Sequence, residues 1–180
     1  DYQARHEEWY LADLAMKHQN TLIVPEGGAN YYGVAGCAEI VPEIGIDFAI
    51  IATACGTGTT LAGIISALKP HQKALGFSTL KGNFMKDEVN KALYNYFLDK
   101  ETVEDYQEQF EVCEDYHFGG YGKTTEELFN FMNQFQTNTG IELDKVYTSK
   151  MLFGLFEQIK KGKYDGKTII AVHTGGLQGN

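Results

Sequence analysis

The sequence predicts an α/β protein built on a mostly parallel sheet with helices on both faces. Strand-length runs alternate along the chain with stretches of helical spacing. Most of the runs are solidly apolar instead of alternating, as a strand covered on both faces requires. Glycine-rich turns recur where these runs end, the side on which open parallel sheets bind ligands.

Residues 3–18 carry Trp9, Leu11, Leu14 and Ala15 at roughly helical spacing and predict an amphipathic helix. Thr21–Val24, closed by Pro25, predicts a buried strand. A helix is expected over Gly33–Ile44, then a strand over Asp47–Thr53 that runs into a Gly/Thr turn and a helix over Leu61–Leu68. Ala74–Thr79 predicts a third strand, residues 84–98 and 101–109 two helices, and Phe110–Cys113 a fourth strand. A Gly- and Tyr-rich loop over 116–123 leads to a helix over 124–136, with Thr124 as cap and Glu127 at the capping-box spacing. A short piece at Lys145–Tyr147, a helix over 148–161 and a strand over Thr168–His173 complete the chain. No repeat, low-complexity tract or linker interrupts it.

The 180 residues are enough for one ordinary domain with a core, and 43% hydrophobic with 22% charged residues is a globular balance. A net charge of -9 argues against a nucleic-acid surface, which rests on clustered Lys and Arg. It leaves room for a local anion pocket made of backbone N–H groups. Cys37, Cys55 and Cys113 are odd in number and lack metal-ligand spacing, so reduced thiols in a cytoplasmic protein are expected. No apolar run approaches the roughly 18 residues of a membrane span.

The sharpest local feature is Ala54-Cys55-Gly56-Thr57-Gly58-Thr59-Thr60-Leu61, between a strand and a helix. Glycines admit an anion to the backbone, the helix start offers unpaired N–H groups, and threonines add hydroxyl donors. No Gly-Lys-Ser/Thr follows, and no third glycine completes a dinucleotide fingerprint, which favours a single phosphate. The loop alone fits equally a phosphate cup or a ligand-free strand-to-helix turn. Further glycine turns stand at Glu26–Asn30 and at His173–Gly176.

Several segments together carry a resemblance. Pro25-Glu26-Gly27-Gly28-Ala29-Asn30 with Gly33, Gly36, Glu39 and Glu43-Ile44 is similar to a motif of the 1-aminocyclopropane-1-carboxylate deaminase / D-cysteine desulfhydrase family. Gly56–Gly63 resembles that family's phosphate loop, Gly120-Tyr121-Gly122 its G-Y-G segment, and Val146–Lys150 with Gly154-Leu155 its Y-T/E-G-K…GL motif. His173-Thr174-Gly175-Gly176 resembles its terminal HTGG. The segments stand in the family's order and cover nearly the whole chain. The resemblance implies the larger domain of a fold type II pyridoxal 5'-phosphate enzyme, the superfamily of the tryptophan synthase β subunit.

It also implies roles. Cys55, Gly56, Thr57, Gly58, Thr59 and Thr60 would hold the cofactor phosphate, with Thr174 nearby. Tyr121 and Tyr147 would face a small amino-acid substrate and take part in proton movement. Thr148 would stand beside the pyridine nitrogen, where the deaminase carries a carboxylate and the desulfhydrases resemble this chain. A neutral threonine there tilts the expectation toward D-cysteine or another β-substituted amino acid. Without the resemblance, tyrosines in such loops read as packed aromatics and Thr148 as a helix cap. Ala29 departs from the family, which often has serine there. The cofactor-holding lysine and a Ser-Gly-Asn loop for the substrate carboxylate are expected upstream of Asp1. Residues 1–19 are then the tail of the smaller domain and residues 20–180 the larger, cofactor-cradling one. This portion alone is expected to be inactive, and the full-length protein a homodimer.

Overall fold

The structure is a computed structural model that describes residue 4 and residues 7–179. The helix expected over 3–18 is α1, Glu8–Lys17; residues 3, 5 and 6 of that expectation lie outside the described residues. After it come α2 (Tyr31–Ala38), α3 (Ile40–Glu43), β1 (Ile50–Cys55), α4 (Thr59–Ser66), β2 (Lys73–Ser78), α5 (Met85–Phe97) and α6 (Lys100–Asp105). The chain continues with β3 (Phe110–Cys113), α7 (Glu126–Thr139), α8 (Thr148–Lys160) and β4 (Ile169–Ala171).

The four strands form one sheet in the order β3-β2-β1-β4, and every pair is parallel. Alternate residues of β1 show why its run is solidly apolar. Ile51 and Cys55 join the core made with α2, α4 and α5, while Ile50 and Ala52 join the core made with α8 and the inner face of α7. With both faces covered, both sets of side chains are buried, and the expected fold class holds. From β1 the chain steps to β2 and β3, then crosses to β4 on the other side of β1. The topological switch point therefore lies between β1 and β4.

Thr21–Val24 is not a strand. It pairs with nothing in the described sheet, and Leu22 and Val24 are 75% and 66% exposed. Its apolar pattern marks surface that prefers burial, and pattern alone cannot supply a neighbouring strand edge. The helix expected over Gly33–Ile44 starts earlier, at Tyr31, where the Gly33 N–H donates to Asn30 Oδ1 at 2.9 Å. It breaks at Glu39, because the Pro42 ring has no N–H to continue the ladder. The strand expected over Asp47–Thr53 is shifted to Ile50–Cys55. The cap of α7 is Thr125, not Thr124: the Leu128 N–H donates to Thr125 Oγ1 at 3.3 Å. Neighbouring threonines are equivalent in a spacing argument, and only the backbone turn chooses between them.

Candidate functional site

At the carboxyl ends of β1 and β4 lies a cleft of about 670 Å³, within the range of small-molecule sites. Gly56, Thr57 and Thr60 line one wall, Tyr121 and Tyr147 the other, and Thr174 with the glycines after it closes one end. The glycine turn at 26–28 supplies Glu26 and Gly27 to the rim. No lysine lines this cleft among the described residues.

The first wall is backbone. β1 ends at Cys55, the chain turns through Gly58 at φ 79, and α4 begins at Thr59 with no side chain capping its N-terminus. Such an end leaves N–H groups and a partial positive charge facing outward. Thr57 and Thr59 hold each other's hydroxyls at 2.9 Å. Gly56 lies directly against the Tyr147 ring, so a Cβ there would come within 3.0 Å of it.

The second wall is made of side chains. The Tyr121 and Tyr147 rings meet edge to face, with centroids 6.0 Å apart. Burial, then hydrogen bonding to Tyr121 and the carboxylates of Asp144 and Glu26, pushes the Tyr147 phenol up to about 12. At neutral pH it is a protonated donor, not a phenolate base. Asp144 places it: its buried carboxylate accepts the N–H groups of Val146 at 2.9 Å, Tyr147 at 2.6 Å and Thr148 at 2.8 Å. That is an aspartate capping α8 from four residues ahead. Its position before a helical run is a readable signal of a cap, whereas Thr148 is the first residue of the helix itself.

Of the residues singled out from the sequence, Gly56, Thr57, Thr60, Tyr121, Tyr147 and Thr174 converge on the cleft. Gly58 is buried behind the loop against Val89, and the Thr59 side chain lines a neighbouring groove. The Cys55 sulfur faces the core beneath α4, where burial raises its thiol to about 12. Thr148 is fully buried; its hydroxyl donates to Asp144 Oδ2 and accepts the Asp144 N–H. Next to it, Ser149 Oγ is buried without a hydrogen-bond partner.

This donor set fits pyridoxal phosphate. The side-chain-free Gly56 surface under Tyr147 and the uncapped start of α4 together make a cradle for a monophosphate beside a flat ring.

Comparison with known proteins leads to the same chemistry. A protein of Pyrococcus furiosus provisionally named 1-aminocyclopropane-1-carboxylate deaminase is 34% identical, over 97% of this chain and 56% of that protein. The Arabidopsis thaliana bifunctional D-cysteine desulfhydrase/1-aminocyclopropane-1-carboxylate deaminase, a mitochondrial protein, is 30% identical over 92% of this chain and 44% of its own length. The crystal structure of an ACC deaminase homologue superposes with a TM-score of 0.78 at 27% identity, over 99% of this chain and 56% of that one. The chain thus spans about half the length of the relatives it matches. Residues 1–175 match the family described as "Pyridoxal-phosphate dependent enzyme", and the chain belongs to that family.

Proposed function

We propose that the full-length protein is a pyridoxal-phosphate-dependent lyase or deaminase that converts a small amino acid to a 2-oxo acid and ammonia. The observation that carries this reading is the convergence of a tyrosine pair and an uncapped helix start on one cleft at the switch point of the sheet. Bound there, the cofactor supplies an electron sink for the carbanion formed at the substrate's Cα. The protein's part is to hold the phosphate on the backbone from Gly56 to Thr60, with Thr174 closing the end of the cleft. Tyr147, kept protonated, donates to the substrate, and the Tyr121 hydroxyl is its hydrogen-bonding neighbour. With D-cysteine, one water enters and pyruvate, ammonia and hydrogen sulfide leave. With 1-aminocyclopropane-1-carboxylate, one water enters and 2-oxobutanoate and ammonia leave.

The lysine that holds the cofactor is proposed to lie upstream, since none of the described residues lining the cleft is a lysine. The same observation supports a second reading for the 180-residue portion alone, a phosphate- or cofactor-binding domain without turnover. The full-length protein is proposed to work as a homodimer in the cytoplasm, which sedimentation and fractionation would check. No described helix is long and apolar enough to cross a membrane.

The test is the absorbance of the full-length protein with pyridoxal phosphate, then with D-cysteine and 1-aminocyclopropane-1-carboxylate in turn. The expected result is a visible band that shifts with one of them, with 2-oxo acid released. No band and no product ends the reading. Turnover by residues 1–180 alone ends the upstream-lysine reading.

A further inference from the structure

Lys150 stands in the first turn of α8 and has no exposed surface. A buried ammonium needs acceptors for its donors. Lys150 Nζ donates to two backbone carbonyls, His117 O at 2.9 Å and Gly120 O at 2.8 Å. Burial pulls its pKa below the usual lysine range, with the Asp144 carboxylate opposing that shift.

The two carbonyls are special within their loop. His117 O also accepts the Gly120 N–H at 3.0 Å, and Gly120 O accepts the Lys123 N–H at 3.1 Å. They are thus the opening carbonyls of two successive turns, 117–120 and 120–123, and both point at one ammonium. Tyr121 is the second residue of the second turn. These turn bonds, with the Gly119 N–H donated to His117 Nδ1 at 2.9 Å, hold a strained backbone: Phe118, Gly119 and Gly120 have φ values of 53, 96 and 116, and for a phenylalanine that region is costly. Such a conformation persists only where its surroundings over-determine it. The Phe118 ring packs edge-on against Phe153, 5.0 Å between centroids, which secures the start of the loop. Tyr121 itself is 62% exposed, so its own packing does not fix its direction.

We propose that Lys150 is a positioning residue: by clamping the carbonyls of His117 and Gly120 it fixes the double turn that sets Tyr121 against Tyr147 on one wall of the cleft. The clamp is a property of the fold, and its consequence for turnover rests on the amino-acid reading of the cleft given above.

The experiment uses the full-length protein with Lys150→Met, which keeps most of the buried stem and removes the donors. Backbone amides over 118–123 exchange at least about tenfold faster than in the unsubstituted protein, while those of β1 and α4 keep their rates. With whichever amino acid turns over, kcat falls about as far as in Tyr121→Phe, roughly tenfold or more, and KM moves less. The double variant Lys150→Met/Tyr121→Phe is no slower than the worse single variant, because both act through the same side chain. If the methionine variant does not fold, Lys150→Gln, which retains an amide donor, carries the same readouts with smaller losses. Unchanged exchange in the loop, or effects that multiply in the double variant, overturns the proposal. Faster loop exchange in a protein that turns over neither amino acid leaves the clamp standing and removes the amino-acid reading.

Discussion

The two walls of the cleft are built on opposite principles. The wall from Gly56 to Thr60 is local: a strand end, a glycine turn and a helix start placed in continuous sequence, with nothing but backbone and the hydroxyls of Thr57 and Thr60 to aim. The wall carrying Tyr121 and Tyr147 is assembled from distant pieces. Its tyrosines are aimed by Asp144 and Lys150, which reach the backbone of α8 and of a loop 30 or more residues earlier in the chain. A wall of backbone tolerates no added volume, whereas a wall of side chains tolerates no lost partner. The same cleft should therefore break in two different ways.

The largest effect is expected on the backbone side. A Cβ at Gly33 would fall 1.9 Å from the carbonyl oxygen of Gly28, and backbone cannot swing away as a side chain can. Gly33→Val should destabilise the protein by about 3 kcal/mol and abolish phosphate binding, read by denaturant unfolding and by titration with inorganic phosphate. A variant that binds phosphate normally would show that the packing of Gly33 against the 26–28 turn and Thr59 does not support the phosphate wall.

On the side-chain side, Asp144→Ala removes the acceptor of three backbone N–H groups and of the Thr148 hydroxyl. The expected loss is about 2–3 kcal/mol, since the buried donors are left unpaired. Asp144→Asn, which keeps one acceptor oxygen, should lose less. Equal losses in the two variants would mean that charge, not acceptor geometry, holds the start of α8.

A smaller effect follows from Tyr147. Its pKa is raised from the ordinary 10.0 to about 12, so the folded state holds this proton where the unfolded state releases it. Its contribution to stability is complete below pH 10 and is lost as pH rises through about 12. Thermal unfolding between these pH values should fall more steeply for the unsubstituted protein than for Tyr147→Phe, and the late step in phenolate absorbance should vanish in that variant. Equal slopes would mean that Tyr147 titrates as an exposed tyrosine.

The smallest effect lies away from the cleft. Thr125→Ala should destabilise by about 1 kcal/mol and Thr124→Ala by much less, since only Thr125 caps α7. Thermal denaturation of the pair separates them.

Local chemistry explains which features could be read from the chain. β3 is observed over the residues expected and β2 within one residue at each end, because short apolar runs bounded by turns carry their own limits. The glycine turn between β1 and α4 was legible for the same reason, whereas the ring contact of Tyr121 with Tyr147 was not, since 26 residues separate them in sequence. Nothing in the motif around Lys150 signals its role, because its carbonyl acceptors are distant in sequence. Cys55 and Thr148 sit in site motifs, yet their side chains turn into the interior. Strand pleat and helix rotation, not position in a motif, decide which way a side chain points.

The sequence by itself determined the alternation of strands and helices, the parallel sheet, the Gly/Thr turn between β1 and α4 and the cofactor family, since each depends on residues that are neighbours or stand in a fixed order. Only the tertiary structure decided that Thr21–Val24 stays outside the sheet, that the Asp144 carboxylate accepts the N–H groups at the start of α8, and that a buried lysine gathers the loop of Tyr121. Those outcomes depend on which surfaces and hydrogen-bonding groups meet across the fold, and a linear pattern does not encode that meeting.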